Sequence, residues 1–165
     1  MNIIELLLKE LESEAQTTRK FLAIVPLDKA AWAPHEKSMK MEALSIHIAE
    51  LPGWIKLALT TKELDFATAP YQPVTIKGTD ELLALLERSL TEAKESLANA
   101  KEENLNGRWL LRTAETIHAD LSVYEMIRMA FSQTTHHRAQ LGVYLRILDI
   151  PIPGSYGPSA DDQSF

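Results

Sequence analysis

From Ile4 onward a small or apolar residue returns every three or four positions: Ile4, Leu7, Leu8, Leu11, Ala15, Thr18, Leu22 and Val25. At about 100° per residue these side chains share one stripe of an α-helix, and such a stripe has to be buried against another element. The spacing predicts a first helix over residues 2–24, closed by Pro26. The same period returns three times. Ser38 is a candidate N-cap for a second helix over 39–60, and Pro52 inside it predicts a kink near residues 48–51. Thr79-Asp80-Glu81 opens a third helix over 79–101, with a cap candidate and two acids near the positive end of the dipole. Ser122-Val123-Tyr124-Glu125 has the form of a capping box, and it starts a fourth helix that runs to Leu148, before Asp149-Ile150-Pro151 stops it.

The connections differ in kind. Residues 61–78 carry Pro70, Pro73 and Gly78 and read as a long connection. In residues 104–121, Arg108-Trp109-Leu110-Leu111 and Glu115-Thr116-Ile117-His118 form either a short hairpin or a packed loop. The tail, 154–165, has too little apolar content to form an element alone. Four long helices give an all-α four-helix bundle in a single domain, 1–165. The long connection between helices 2 and 3 permits a crossover that leaves neighbouring helices parallel.

Composition narrows the function. The chain has 165 residues, 45% of them hydrophobic, enough for a proper core. A formal net charge of -6 and 17 scattered basic residues argue against a phosphate-binding surface, so no nucleic-acid partner is expected. The absence of cysteine removes disulfides, thiolate metal ligands and a cysteine nucleophile. Met1-Asn2-Ile3-Ile4-Glu5 turns acidic at once, unlike a signal peptide, and no run approaches bilayer length; the expectation is a cytoplasmic protein with no membrane partner. No Gly-rich phosphate loop, nucleophile elbow or HExxH motif is present.

What remains is histidine. On the second helix His47 falls among Ala43, Leu44, Leu51, Trp54, Ile55 and Ala58, with Glu50 flanking it at roughly 60°. On the fourth, His137 lies at the edge of the stripe formed by Ile127, Ala130, Phe131, Thr134, Leu141, Leu145 and Leu148. Gln133 sits beside it, one turn earlier. His136 is about 100° away and points toward solvent or another chain. His35 and His118 lie in loop-like stretches and read as surface residues. An isolated inward histidine is more often a hydrogen-bonded core residue than a ligand. Two from different helices are also a common way to hold a transition metal inside a bundle. The pattern leaves both readings open.

The runs Trp32-Ala33-Pro34-His35-Glu36-Lys37-Ser38-Met39 and Ala43-Leu44-Ser45-Ile46-His47-Ile48-Ala49-Glu50-Leu51-Pro52-Gly53-Trp54 resemble the second-helix region of the DinB-like (YfiT-like) metalloenzymes. That family is distinct from the DNA polymerase sharing the DinB label. His136-His137-Arg138-Ala139-Gln140-Leu141-Gly142-Val143-Tyr144-Leu145-Arg146 is similar to the family's last-helix motif, and Ile150-Pro151-Ile152-Pro153-Gly154-Ser155-Tyr156-Gly157-Pro158-Ser159-Ala160-Asp161 to the tail of one branch. The resemblance implies a four-helix bundle with a long crossover after the second helix, often a homodimer. It also implies a divalent metal, zinc or nickel, on three histidines, one from the second helix and two spaced four apart on the last.

His47 matches the first of those positions and His137 the final one; Gln133 stands at the position between. A glutamine amide is a neutral and weaker ligand than imidazole. Three sites are therefore open: His47, Gln133 and His137 completed by waters, a weakened or empty site, or a shifted site recruiting Glu50. The first is the expectation carried forward. The resemblance further implies an enzyme acting on a small molecule, a hydrolase or a transferase using a low-molecular-weight thiol, with a non-catalytic metal-binding or dimerising bundle as the alternative. Glu50 is then a general base or a hydrogen-bond partner of His47, and Arg138 makes an ion pair or an interface contact.

Overall fold

The computed structural model describes residues 2–163; Met1 and the last two residues of the tail read as 154–165 lie outside it. Asn2 starts the first helix through a capping box. Its side chain accepts the Glu5 N–H at 2.9 Å, and the Glu5 carboxylate accepts the Asn2 N–H. Helix α1 spans Ile3–Leu22 and buries the expected stripe, Ile4, Leu7, Leu11, Ala15, Thr18 and Leu22, with Phe21 added.

The second helical stretch is two helices, α2 (Met41–Glu50) and α3 (Gly53–Thr60), where a single kinked helix was expected. Pro52 lacks an N–H and crowds the preceding turn, so the ladder breaks at Leu51–Pro52 and restarts with Ile55 N–H donating to Pro52 O at 3.0 Å. Ser38 is not the cap. The N-cap is Lys40, with no side-chain bond, because the loop ahead supplies its carbonyls: Met41 N–H donates to Trp32 O at 2.8 Å and Glu42 N–H to Ala30 O at 3.0 Å.

Helix α4 (Thr79–Ala98) starts from Gly78 rather than from a side-chain cap, and Glu81 accepts the Lys77 N–H at 2.9 Å instead. Helix α5 (Val123–Ile147) opens with the expected Ser122–Glu125 capping box. It ends in Leu148 and Asp149, whose φ of 58° lets Ile150 N–H reach Leu145 O and Asp149 N–H reach Arg146 O. That pattern satisfies the last carbonyls before Pro151 leads the chain away.

Both α4 and α5 pack against α1, α2 and α3, so the order around the bundle is α1, α4, α2–α3, α5. A single buried cluster runs through all of them. The bundle and its crossover are thus present, but the chain is mostly helical, not all-α.

A three-stranded sheet closes one end. Strand β1 (Glu63–Asp65) lies in the crossover connection and pairs in parallel with β2 (Arg108–Thr113), which pairs antiparallel with β3 (Thr116–Ser122). Residues 104–121 therefore contain the hairpin rather than the packed loop. Trp109, fully buried, pins the sheet to the bundle and donates its indole N–H to Thr61 Oγ1 at 3.0 Å. At the hairpin turn Ala114 adopts φ 49°. Its N–H donates to Asp65 Oδ1 at 3.0 Å, and Arg112 clasps both Asp65 and the Ala114 carbonyl, so the crossover strand holds the turn in place.

Candidate functional site

Helix α2 and α5 lie side by side, and the contact brings His47 and His137 together. Their ring centroids are 4.6 Å apart with planes at 81°. Both rings are half-buried. The His47 ring makes no hydrogen bond among the described residues. Burial, and secondarily the neighbouring His137 imidazole, push its pKa down to about 4, so at neutral pH it is an uncharged imidazole with a lone pair to offer. His137 is oriented by its own helix. Its Nδ1–H donates to Gln140 Oε1 at 2.8 Å, which leaves the lone pair on Nε2. A ring nitrogen held by an amide or carbonyl while the other faces outward is the usual posture of a ligating histidine.

A cavity of about 170 Å³ opens beside this pair. His47 and Gln133 are its polar walls; Leu51, Trp54, Leu111, Met126 and Met129 supply apolar ones. The expected trio therefore gathers on one side of the bundle: His47 meets His137 ring to ring and shares the cavity with Gln133. Among the described residues no group of three or more His, Asp and Glu side chains could hold a metal ion, so two imidazoles and a carboxamide are what this face presents.

Glu50 turns elsewhere. Its carboxylate accepts the Tyr71 hydroxyl at 3.1 Å, from the crossover connection, and makes no hydrogen bond to His47. Burial raises its pKa while the Tyr71 bond pulls the other way. His136 is exposed, as its 100° offset required, with its ring centroid 4.8 Å from that of His137. His35 and His118 are exposed as well.

Arg138 makes the ion pair that was one of its two expected roles. It is 2% exposed. Its Nη1 lies 2.8 Å from Glu14 Oε2 and donates to Thr18 Oγ1 at 3.0 Å, while Nη2 donates to the Tyr156 hydroxyl at 2.8 Å. The Tyr156 hydroxyl in turn donates to Glu14, and its ring lies under the guanidinium at 5.3 Å. The tail thus folds back on α1 and α5.

Two groups of site residues were not anticipated from the sequence. Met126 and Met129 continue the helical stripe of Gln133 and His137, a signal that was there to be found. Leu111 and Tyr71 come from strand and crossover, and only long-range pairing brings them to the site.

A broken-helix bundle with a crossover defines a class of fold, and the comparisons agree with it. The model of the DinB family matches residues 1–163, and the chain belongs to that family. A DinB-like protein from Bacillus subtilis superposes with a TM-score of 0.69 at 19% identity, over 90% of this chain and 96% of the other. A member of the family from Exiguobacterium sibiricum gives 0.68 at 20% identity, over 93% and 97%. A mycothiol-dependent maleylpyruvate isomerase gives 0.59 at 15% identity, over 86% of this chain and 61% of that one. These likenesses concern the fold. No curated protein matches the chain in sequence. No helix among the described residues is long and apolar enough to cross a membrane.

Proposed function

We propose that this chain, a single bundle domain over 1–165, binds a divalent transition metal, zinc or nickel, through His47, His137 and Gln133. The observation that carries the reading is the meeting of two imidazoles from separate helices at the edge of a cavity. The donors fit in kind. One ring is kept neutral by burial, the other has its tautomer set by Gln140, and both suit zinc or nickel. Gln133 is the weak member and leaves room for water. Such an ion supplies Lewis acidity, lowering the pKa of a water or thiol in the cavity.

The chain's own contributions are positional. His47 and Gln133 hold the polar side of the cavity with His137 packed against His47; Leu51, Trp54 and the methionines exclude bulk water, and Glu50 with Tyr71 stands on the crossover side as an acid–base pair. The reaction is a transfer or hydrolysis on a small molecule. A low-molecular-weight thiol as partner is supported by the mycothiol-dependent isomerase sharing the fold. The protein acts in the cytoplasm as a homodimer.

Metal content of protein purified without an affinity tag, after supplementation with zinc and nickel, tests the reading. One ion per chain is expected, lost in both His47→Ala and His137→Ala. Protein that takes up neither metal refutes it, and metal retained in both variants refutes the ligand assignment.

A further inference from the structure

Among the described residues the Gln133 carboxamide makes no hydrogen bond, although it lines the cavity of about 170 Å³ beside the histidines. It carries one carbonyl acceptor and two N–H donors. A carboxamide ligates a divalent ion through its oxygen, because the nitrogen lone pair is delocalised into the carbonyl. The ligand role proposed for Gln133 therefore uses the acceptor and leaves both donors. His47, the other polar wall, works the opposite way: a ligating imidazole gives up its lone pair, and its N–H lies across the ring. The Trp54 indole N–H is the second donor type among the lining side chains; the rest are aliphatic or thioethers and donate nothing. Helix α5 fixes where the carboxamide stands, one turn after Met129 and one turn before His137. The cavity is close in size to an engineered apolar one of about 150 Å³ that holds benzene, so a ring with one short polar substituent fits it. Amide N–H groups favour an oxygen acceptor, since sulfur accepts only weakly.

We infer that Gln133 is a specificity-determining residue: its N–H groups donate to the carbonyl oxygen of a small aldehyde, ketone or ester. The apolar body of that molecule lies against Trp54, Met126 and Met129, where polarisable thioethers and an indole pack well on a ring. The inference rests on the reading of this face as the functional site, and it names a carbonyl compound as the substrate of the transfer or hydrolysis.

Acetophenone and 2-phenylpropene have the same shape, one with C=O where the other has C=CH2. Magnetic resonance titration of the metal-free full chain gives both dissociation constants, and comparing their ratio between wild type and variant cancels the ligands' different hydration. Gln133→Met keeps an unbranched side chain and deletes the donors. It should shift the ratio against acetophenone by about fivefold, the contribution of one hydrogen bond. Trp54→Phe deletes the indole N–H but keeps an aromatic wall, and should leave the ratio within about twofold. If Gln133→Met does not fold, the Gln133 side-chain amide protons of wild type are followed instead; they should move with acetophenone and stay with 2-phenylpropene. A ratio unchanged in Gln133→Met, a shift produced by Trp54→Phe instead, or no binding of acetophenone would overturn the inference. Zinc uptake by wild type separates the two readings. Zinc bound without the fivefold shift refutes only the donor role, and the shift without zinc uptake refutes only the metal site.

Discussion

His137 and Arg138 are neighbours in sequence, yet the 100° step between them turns one toward α2 and the other toward α1, and the fold treats them differently. Arg138 is almost wholly buried, and the donors described for it have acceptors: the Glu14 carboxylate, the Thr18 hydroxyl and Tyr156 from the tail. His137 is half-buried, with one hydrogen bond on Nδ1 and an imidazole facing it across 4.6 Å. The arginine side is filled with partners. The histidine side opens on a cavity. A buried charge surrounded by complementary groups is a structural solution, because removing one partner strands the other. Two imidazoles packed edge to face, beside open space, keep bonding capacity for something else.

The comparison breaks first at Glu14. Replacing it with leucine leaves the Arg138 guanidinium buried without its anion, and urea unfolding should show a loss of about 3 kcal/mol or more. Metal uptake at the histidines, on the α2 side of α5, should persist in whatever fraction remains folded. A loss below about 1 kcal/mol would mean that the pair is solvated and that the two faces of α5 are alike.

Acid sharpens the other side. His47 has its pKa lowered from 6.5 to about 4 in the fold, so the unfolded chain binds the proton first. Stability of the metal-free protein is then fully present above about pH 6.5 and falls as the pH drops toward 4. The loss should be on the order of 1–2 kcal/mol once the ring's partial exposure is allowed for. His47→Leu should flatten that part of the curve and raise stability at pH 7, at the expense of the metal site. An unchanged slope in this variant would show that His47 is not the buried neutral base described.

Tyr156→Phe is the mildest probe of the filled side. It deletes one hydroxyl that bridges Arg138 and Glu14, and should cost about 1 kcal/mol in thermal or urea unfolding. Metal uptake at His47 and His137 should be unaffected.

Helices were legible because their signals are local. The stripe from Ile4 to Leu22, the Ser122–Glu125 box and the stop at Asp149–Pro151 all act within a few residues, and each stands where it was read. Pro52 was legible as a disruption but not as a full break, since how far a ladder reopens depends on what packs around it. The hairpin was one of two readings of residues 104–121, whereas β1 escaped because it is three residues long and pairs with a strand more than forty residues away. The two histidines could be placed by angle alone. Their cavity could not, because Leu111 reaches it only through the sheet, and Glu50 was claimed by a tyrosine from the crossover.

X-ray absorption of the zinc-loaded protein reads the proposed ligand set directly. The account predicts a shell of nitrogen and oxygen with two imidazoles in wild type, three in Gln133→His, and one in His47→Ala or His137→Ala. A wild-type spectrum with no imidazole pair, or one unmoved by Gln133→His, would contradict the claim that α2 and α5 together build the metal site.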